Sequence, residues 1–441
     1  MNSGEGISIP NTSDPVSGTD VRGKLIRRIK RIKALDVITL LVPVTQFSEI
    51  NAVGRLFTPE LLLACMLPML FFEYGQRLRA RLPMCFILLV LFWFFGQVAT
   101  DIVRATAFHD FARGWAKIAF TLVNFCALYL LMYGHHRRLI LYAIGLTAGG
   151  LITYFVNPNI YAEGMPWKFG YGESVTWVII LLVAAIVTIK RIGPYTVSGV
   201  MVVTAALNIF MGFRSLGGIC FLVAGYLLLQ ARWGQQLSEV RIWPWRVLLI
   251  GMVLAAVGVG VFQMYNYAAR SGLLGDDAQE KYRTQAYGEY GVLLGGRSEV
   301  LVSSRAILDS PFLGHGSWAK DYQYSSLLDE LRQQAGYSTG IEDDKGLIPT
   351  HSHLLGAWVE AGLLGAIFWV WILSLPVRVL MKPHGILDYL TPLMAFVAFL
   401  LIWDILFSPY GAERRFVTPY YIVVMLTALG PYRERCVREI L

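Results

Sequence analysis

The chain has 441 residues, of which 56% are hydrophobic and only 15% charged, and its formal net charge is +8. Soluble domains are roughly one quarter charged, so this composition excludes an ordinary soluble globular protein and indicates an integral membrane protein. The basic residues fall mainly in connections between apolar runs. That distribution is typical of membrane topology and of contact with anionic lipids, and it does not indicate nucleic-acid binding.

Apolar runs long enough to cross a bilayer as helices, roughly 17–25 residues each, recur along almost the whole chain. We interpret them as about twelve transmembrane helices, so the predicted fold class is an all-α integral membrane protein. The predicted spans lie near 36–56, 58–74, 83–103, 115–133, 138–157, 174–190, 194–213, 215–230, 243–265, 353–376, 386–408 and 414–430.

The spans divide the chain into five regions. A polar and basic tail comes first, the transmembrane body of spans one to nine follows, and one large polar loop precedes the last three spans and a short tail. The predicted boundaries are 1–35, 36–265, 266–350, 351–430 and 431–441.

The Lys/Arg pattern predicts the orientation of the spans. The first tail contains RGKLIRRIKRIK (Arg22–Lys33), and every second connection after it is also basic. The 266–350 loop has more Asp and Glu than Lys and Arg. We therefore expect both termini in the cytoplasm and this loop on the opposite, outer side.

The large loop has helical and turn signals of its own. SEVLVSSRAILDS (Ser298–Ser310) predicts an amphipathic helix that Pro311 ends, and Tyr324–Ala335 is compatible with a second, polar helix. The glycines of LGHGSW (Leu313–Trp318) predict a tight loop whose backbone amides could face an anion.

Three arginines on the predicted outer side are candidate anion ligands: Arg214 at the end of the seventh span, Arg297 after two glycines, and Arg305 two turns further along. A guanidinium fork suits a phosphate or diphosphate because it is permanently charged and bidentate. The alternative for Arg214 is an arginine that snorkels from a helix end. For the other two it is solvation on a loop helix, which fits Arg305 best.

His351 and His353 precede an apolar span on the same side. Two histidines at this spacing are poor helical metal ligands, and no further His, Cys or Asp grouping completes a metal site. A neutral histidine near arginines suits a general base, although an interfacial histidine is more often structural. Glu360, inside the following span, could support such a base or make an ordinary buried hydrogen bond. We expect chemistry that needs no metal and no cofactor.

Three pieces of the sequence together resemble the O-antigen ligase and polymerase family of bacterial envelope glycosyltransferases. Members of that family show a Gly-Arg pair that opens a loop helix, then a P-x-x-G-x-G turn, then His-Asn-x-x-Leu continuing to Glu-x-Gly. Here the pieces are Gly296–Arg297, PFLGHG (Pro311–Gly316), and HSHLL (His351–Leu355) continuing to Glu360–Gly362. Serine replaces the usual asparagine after the first histidine, and a second histidine follows.

The resemblance covers roughly Arg214 to Gly365 and implies a GT-C-like helical glycosyltransferase of the bacterial inner membrane, with its active site facing the periplasm. It implies a donor glycan on undecaprenyl diphosphate and an acceptor hydroxyl on a glycan or on lipid A-core. The implied reaction is metal-independent and inverts the configuration of the sugar. Membrane lipids are expected partners, as are chain-length regulators or export proteins.

The resemblance also implies roles for the candidate residues. The arginines (Arg214, Arg297, Arg305) would bind the donor diphosphate, a histidine would accept the proton of the acceptor, and Glu360 would support the site. The spacing to Glu-x-Gly favours His351 as the family histidine, and His353 is the alternative base.

Other functions remain open. Within the family, the sequence does not separate a polysaccharide or O-antigen polymerase from an O-antigen ligase. Outside it, a transporter or flippase for a polysaccharide or lipid-linked glycan is the main alternative, and a channel or scaffold subunit is another. A transporter would be expected to show inverted repeats and charged residues at mid-membrane, and the sequence shows no such repeat.

Overall fold

A computed structural model of the chain describes residues 34–51, 54–190, 192–239, 298–334, 346–381 and 390–430, with a few isolated positions between 263 and 279. The described residues form a bundle of helices with one short β-hairpin. The helices are α1 (Ala34–Phe47), α2 (Thr58–Tyr74), α3 (Arg81–Val103), α4 (Phe108–Met132), α5 (His136–Val156), α6 (Gly172–Lys190), α7 (Pro194–Phe210), α8 (Arg214–Glu239), α9 (Ser298–Asp309), α10 (Tyr322–Gln334), α11 (His353–Met381), α12 (Thr391–Phe407) and α13 (Arg414–Leu429).

The described helices confirm a multi-pass, all-α membrane protein. Seven of them, α2 to α6, α8 and α11, are long and apolar enough to cross a membrane, while α1, α7 and α12 are shorter apolar helices. Every predicted span except the ninth coincides with a described helix. The ninth, 243–265, lies outside the described residues but for one isolated position. The last tail lies outside them too, as does the first tail except for residues 34 and 35, which belong to α1.

The first predicted span, 36–56, is wrong at its second end. α1 stops at Phe47, and strands β1 (Glu49–Asn51) and β2 (Arg55–Phe57) then pair antiparallel. Arg55 and Glu49 join across the hairpin through an ion pair of 2.8 Å. The backbone amide of Phe57 donates to the Glu60 carboxylate at 2.9 Å, which caps the start of α2. The first helix therefore ends before the apolar run does, because the residues after Phe47 form the hairpin ion pair and the cap of α2.

The two last helices form the centre of the bundle. α12 and α13 are buried along most of their length, as expected for helices surrounded by others. Large aromatic side chains fill the space around them, with Trp93, Trp369 and Tyr420 fully buried. The whole set forms one continuous apolar core across the described spans.

Connections that the charge pattern predicts on one side meet in the structure. On the predicted outer side, Arg55 of the hairpin bonds Glu413 at 3.0 Å, and Arg104 at the end of α3 bonds the carbonyl oxygen of Gly314 at 2.9 Å. At the opposite end, Arg138 bonds Asp36 at 2.8 Å. Connections predicted on the same side thus lie at the same end of the bundle, as expected if successive spans run in opposite directions.

The large loop contains the two helices that its sequence predicts. The predicted segment Ser298–Ser310 is α9, and Tyr324–Ala335 corresponds to α10. They pack together over a small apolar core of their own, to which Val359 of α11 contributes. The loop is therefore attached to the bundle through α11.

Candidate functional site

A cavity of about 700 Å³ lies at the predicted outer end of the bundle. Its walls come from elements far apart in sequence: the hairpin, the outer part of α4, the start of α11, and the segments before α10, before α11 and before α13. Its charged, histidine and large aromatic lining side chains include Arg55, Trp93, Arg113, Lys117, Phe120, Trp318, His353, Glu360, Trp369, Tyr410 and Arg415.

His353 is a fully buried histidine on the wall of this cavity. Its Nδ1 lies 2.6 Å from the carbonyl oxygen of Ser408. Because a carbonyl only accepts, Nδ1 carries the proton and Nε2 keeps the lone pair of the neutral ring. Nε2 is buried and has no hydrogen-bond partner among the described residues. The site thus holds one oriented imidazole with an unused basic nitrogen.

Two aromatic residues fix the ring of His353 from the sides. The rings of Trp369 and Tyr410 each lie 4.9 Å from it, centroid to centroid. The hydroxyls of Tyr410 and Thr121 are 2.7 Å apart. Burial raises the pKa of Tyr410 well above its ordinary value, so its hydroxyl stays protonated and can donate. The imidazole therefore has little freedom to turn.

Several basic side chains on the cavity wall are paired with carboxylates. Arg415 binds Glu60 through two bonds of 2.8 Å, and Lys117 pairs with Glu360. Arg55 pairs with Glu49 and also with Glu413, the residue directly before α13. These pairs place fixed positive and negative charge next to each other at the wall, so an anionic ligand here would compete with carboxylates.

Arg113 is a further cation on the cavity wall, and its guanidinium lies 4.8 Å from the centre of the Trp318 ring. Trp318 has a backbone φ of +53°, a left-handed conformation that large residues rarely adopt. Such a conformation persists only where the surrounding structure enforces it. The indole is thereby held on the cavity wall with a cation against it, a surface suited to a sugar ring or to another planar or apolar face.

The glycine-rich loop before Trp318 docks against a break in α11. Gly362 has a φ of +64° inside that helix. The carbonyl oxygens of Val359 and Glu360 accept bonds from the amides of His315 at 2.7 Å and Gly316 at 3.1 Å. The expectation that amides of this loop face an anion is wrong for these two, because both already donate to α11.

A buried carboxylate completes the attachment of the loop. Asp101 of α3 accepts bonds from the Ser317 amide and hydroxyl, both at 2.7 Å, and from the Trp115 indole at 2.9 Å. Gln97 donates to the Ser317 hydroxyl at 2.9 Å. The Asp101 oxygens thus have hydrogen-bond donors from two elements, and they fix the segment next to Trp318.

The structure brings together only some of the predicted site residues. His353 and Glu360 line the cavity, whereas its lining in the described part of the chain does not include Arg214, Arg305 or His351. Arg214 is the first residue of α8, and His351 is exposed just before α11. Arg305 is largely exposed and pairs with Asp309 at 3.2 Å. Arg297 lies outside the described residues. The functional roles of all these residues stay predictions.

The sequence reasoning missed most of the cavity wall. The available signal was the predicted topology, because residues next to connections on the same side of the membrane can meet in the fold. The residues next to outer connections include Arg55, Arg113, Lys117 and Arg415. Lys117 lies inside the predicted span 115–133, where a charged residue is costly and marks a paired or functional position. Its partner Glu360 also lies within a predicted span, so the two could have been matched.

Among the described residues there is no group of three or more His, Cys, Asp or Glu side chains that could hold a metal ion. No family model, curated protein or solved structure matches the chain.

Proposed function

We propose that the protein is a glycosyltransferase of the bacterial inner membrane that moves a glycan from undecaprenyl diphosphate to an acceptor hydroxyl at the periplasmic face. The observation that supports this most is the buried imidazole of His353 on the cavity wall, whose Nδ1 donates to the Ser408 carbonyl and whose Nε2 has no hydrogen-bond partner in the part of the chain that the structure describes. The resemblance of the surrounding segments to O-antigen ligases and polymerases supplies the reaction class.

In this proposal Nε2 of His353 takes the proton of the acceptor hydroxyl. The acceptor oxygen then attacks the anomeric carbon, and the bond between that carbon and the diphosphate oxygen breaks with inversion. General-base assistance of this kind contributes roughly 100- to 10,000-fold to a rate. The Ser408 carbonyl would stabilise the imidazolium that forms, because it accepts from the opposite nitrogen.

The leaving diphosphate needs positive charge that does not have to be assembled during the reaction. Arg113 and Lys117 line the cavity and would supply this charge. Arg214 and Arg297 stay proposed diphosphate ligands on the grounds of the resemblance. Lys117 already pairs with Glu360, so the diphosphate would share or displace that carboxylate. Glu360 would then keep Lys117 oriented in the absence of donor.

We also propose the finer topology: about twelve spans, a GT-C-like arrangement, both termini in the cytoplasm and the cavity facing the periplasm. It is supported by the basic connections and by the contacts that join connections of the same predicted side. Undecaprenyl-linked donor, a glycan or lipid A-core acceptor, and chain-length or export proteins would be the partners.

The test is transfer by purified protein in lipid nanodiscs, with an undecaprenyl-diphosphate oligosaccharide as donor and with or without lipid A-core. A ladder of longer glycans on the lipid carrier identifies a polymerase, and labelled core identifies a ligase. Activity should survive chelation of divalent cations. If the protein instead moves donor across a vesicle bilayer and transfers nothing, the transporter alternative replaces this proposal.

A further inference from the structure

Helix α9 in the large loop presents an apolar face that nothing in the described structure covers. Leu301 and Leu308 are two turns apart and so lie on one face of the helix, and Phe312 follows in line. Leu308 is 73% exposed and Phe312 is 77% exposed. The opposite side, with Val302 and Ala306, is buried in the small core under α10. Large apolar side chains grouped on a surface mark an interaction site.

The end of this face lies beside the outer part of two candidate membrane spans. The carbonyl oxygen of Phe312 accepts a bond of 3.2 Å from the amide of Leu363, which is well inside α11. The next carbonyl, of Leu313, accepts from the hydroxyl of Thr100 in the last turn of α3. Because α3 and α11 are both candidate membrane spans, Phe312 lies beside them and not above them.

The exposed face continues into the outward surface of those spans. Leu363, whose amide bonds Phe312, and Leu364 next to it are 36% and 37% exposed. On α3, which packs against α11 at Gly96, Ile102 is 70% exposed. Exposed apolar side chains on spanning helices face lipid, so Leu308 and Phe312 extend an apolar surface that the bilayer covers.

The backbone of the segment is prepared for a water-poor environment. Non-helical backbone at membrane depth is tolerated only where its polar groups are bonded within the protein. Besides the carbonyls of Phe312 and Leu313, the Gly314 carbonyl accepts from Arg104 at 2.9 Å, and the His315 amide donates to Val359 at 2.7 Å. The carbonyl groups of Phe312, Leu313 and Gly314 are thus all bonded within the protein, as non-helical backbone beside a bilayer requires.

We propose that Leu308 and Phe312 insert into the hydrocarbon of the bilayer leaflet on the cavity side, so that α9 is an interfacial membrane helix. Arg305, one turn before Asp309 and paired with it, would lie at the level of the lipid headgroups with its alkyl part along the apolar face. Arg305 would then have an anchoring role in place of the predicted diphosphate contact.

The test places an environment-sensitive fluorophore on single cysteines at Leu308→Cys and Phe312→Cys. The native cysteines are replaced in these variants. The labelled protein is reconstituted in nanodiscs whose lipids carry a spin label near the start of the acyl chain. Phe95→Cys, on the exposed face of α3, serves as the lipid-facing control. Ser326→Cys, exposed on α10, serves as the water-facing control.

We expect quenching at both test positions to match that at Phe95 and to exceed that at Ser326 at least about threefold. Quenching equal to that at Ser326 would overturn the proposal, including the case in which a second copy of the chain covers the face. A photo-crosslinking amino acid at Phe312 in the chain with its native cysteines gives an independent measurement: adducts with lipid support insertion, and their absence when Phe95 gives them contradicts it.

Discussion

Gly314 and Gly362 pack against each other with no room for a side chain on either. A Cβ on Gly314 would lie 2.6 Å from the amide nitrogen of Gly362, and a Cβ on Gly362 would overlap the Phe312 carbonyl oxygen. Both glycines have a positive φ, +81° and +64°. This contact is what joins the P-x-x-G-x-G turn to the Glu-x-Gly segment, so the two motifs form one structural unit.

Gly362→Ala should therefore destabilise the protein by about 1–3 kcal/mol, the range for a strained backbone position, with the added cost of moving the loop. Thermal unfolding in detergent micelles measures the loss. Gly199→Ala in α7 is the matched control, because a Cβ there meets nothing within 4 Å. A change at Gly362 no larger than at Gly199 would argue against the packing described.

Asp101→Asn tests the attachment of the loop to α3. The substitution keeps the size but replaces one accepting oxygen by a donor, which then faces the N–H of Trp115 or of Ser317. A buried donor left unsatisfied costs about 1–3 kcal/mol. Glu413→Gln, in an exposed ion pair with Arg55, should have almost no effect in the same unfolding assay. Equal effects would mean that Asp101 is not the fixing group.

Arg415 and Glu60 form a buried ion pair between α13 and α2, with side chains 8% and 0% exposed. Removing one partner of such a pair leaves an uncompensated charge and costs about 3–5 kcal/mol. Arg415→Met should therefore be strongly destabilising, and adding Glu60→Gln should recover part of the loss. A double-mutant cycle on unfolding free energies gives the coupling. Additive losses of unfolding free energy in the double mutant would contradict a direct coupling between the two side chains.

Tyr324 of α10 donates a hydrogen bond of 2.8 Å to Asp309 of α9. Burial, followed by this bond, raises its pKa from 10.0 to about 12. Below pH 10 both states carry the proton and the contribution to stability is complete. Above it the unfolded state loses the proton first, so the contribution falls as pH rises towards 12. The stability difference between the wild type and Tyr324→Phe should shrink in that interval; a constant difference would contradict the assignment.

The helices were predictable because a membrane span requires a long apolar run, and the loop helices because their apolar periodicity and Pro311 are local signals. The hairpin at Glu49–Phe57 was not predictable from the same runs. It depends on the pairing of Arg55 with Glu49 and on the cap that Glu60 provides. Hydropathy does not register either interaction and predicts a continuous helix there. The charge alternation did indicate which connections meet.

The cavity was predictable only in part. Glu360 and His353 were among the candidates identified from their position at a span, but spacing alone cannot tell which of His351 and His353 faces the bundle. The structure buries His353 at the first turn of α11 and leaves His351 exposed before it. The paired cations Lys117 and Arg415 depend on long-range contacts, with Glu360 and Glu60, that no local pattern contains.

The central claim, that His353 is the base of a glycosyl transfer, is tested most directly by His353→Asn beside His351→Asn in the nanodisc transfer assay. The asparagine amide can replace Nδ1 as donor to the Ser408 carbonyl while removing the basic nitrogen, and thermal unfolding checks that each variant is folded. We predict that His353→Asn loses at least about 100-fold in transfer rate and that His351→Asn retains most of it. A folded His353→Asn with wild-type transfer would contradict the account.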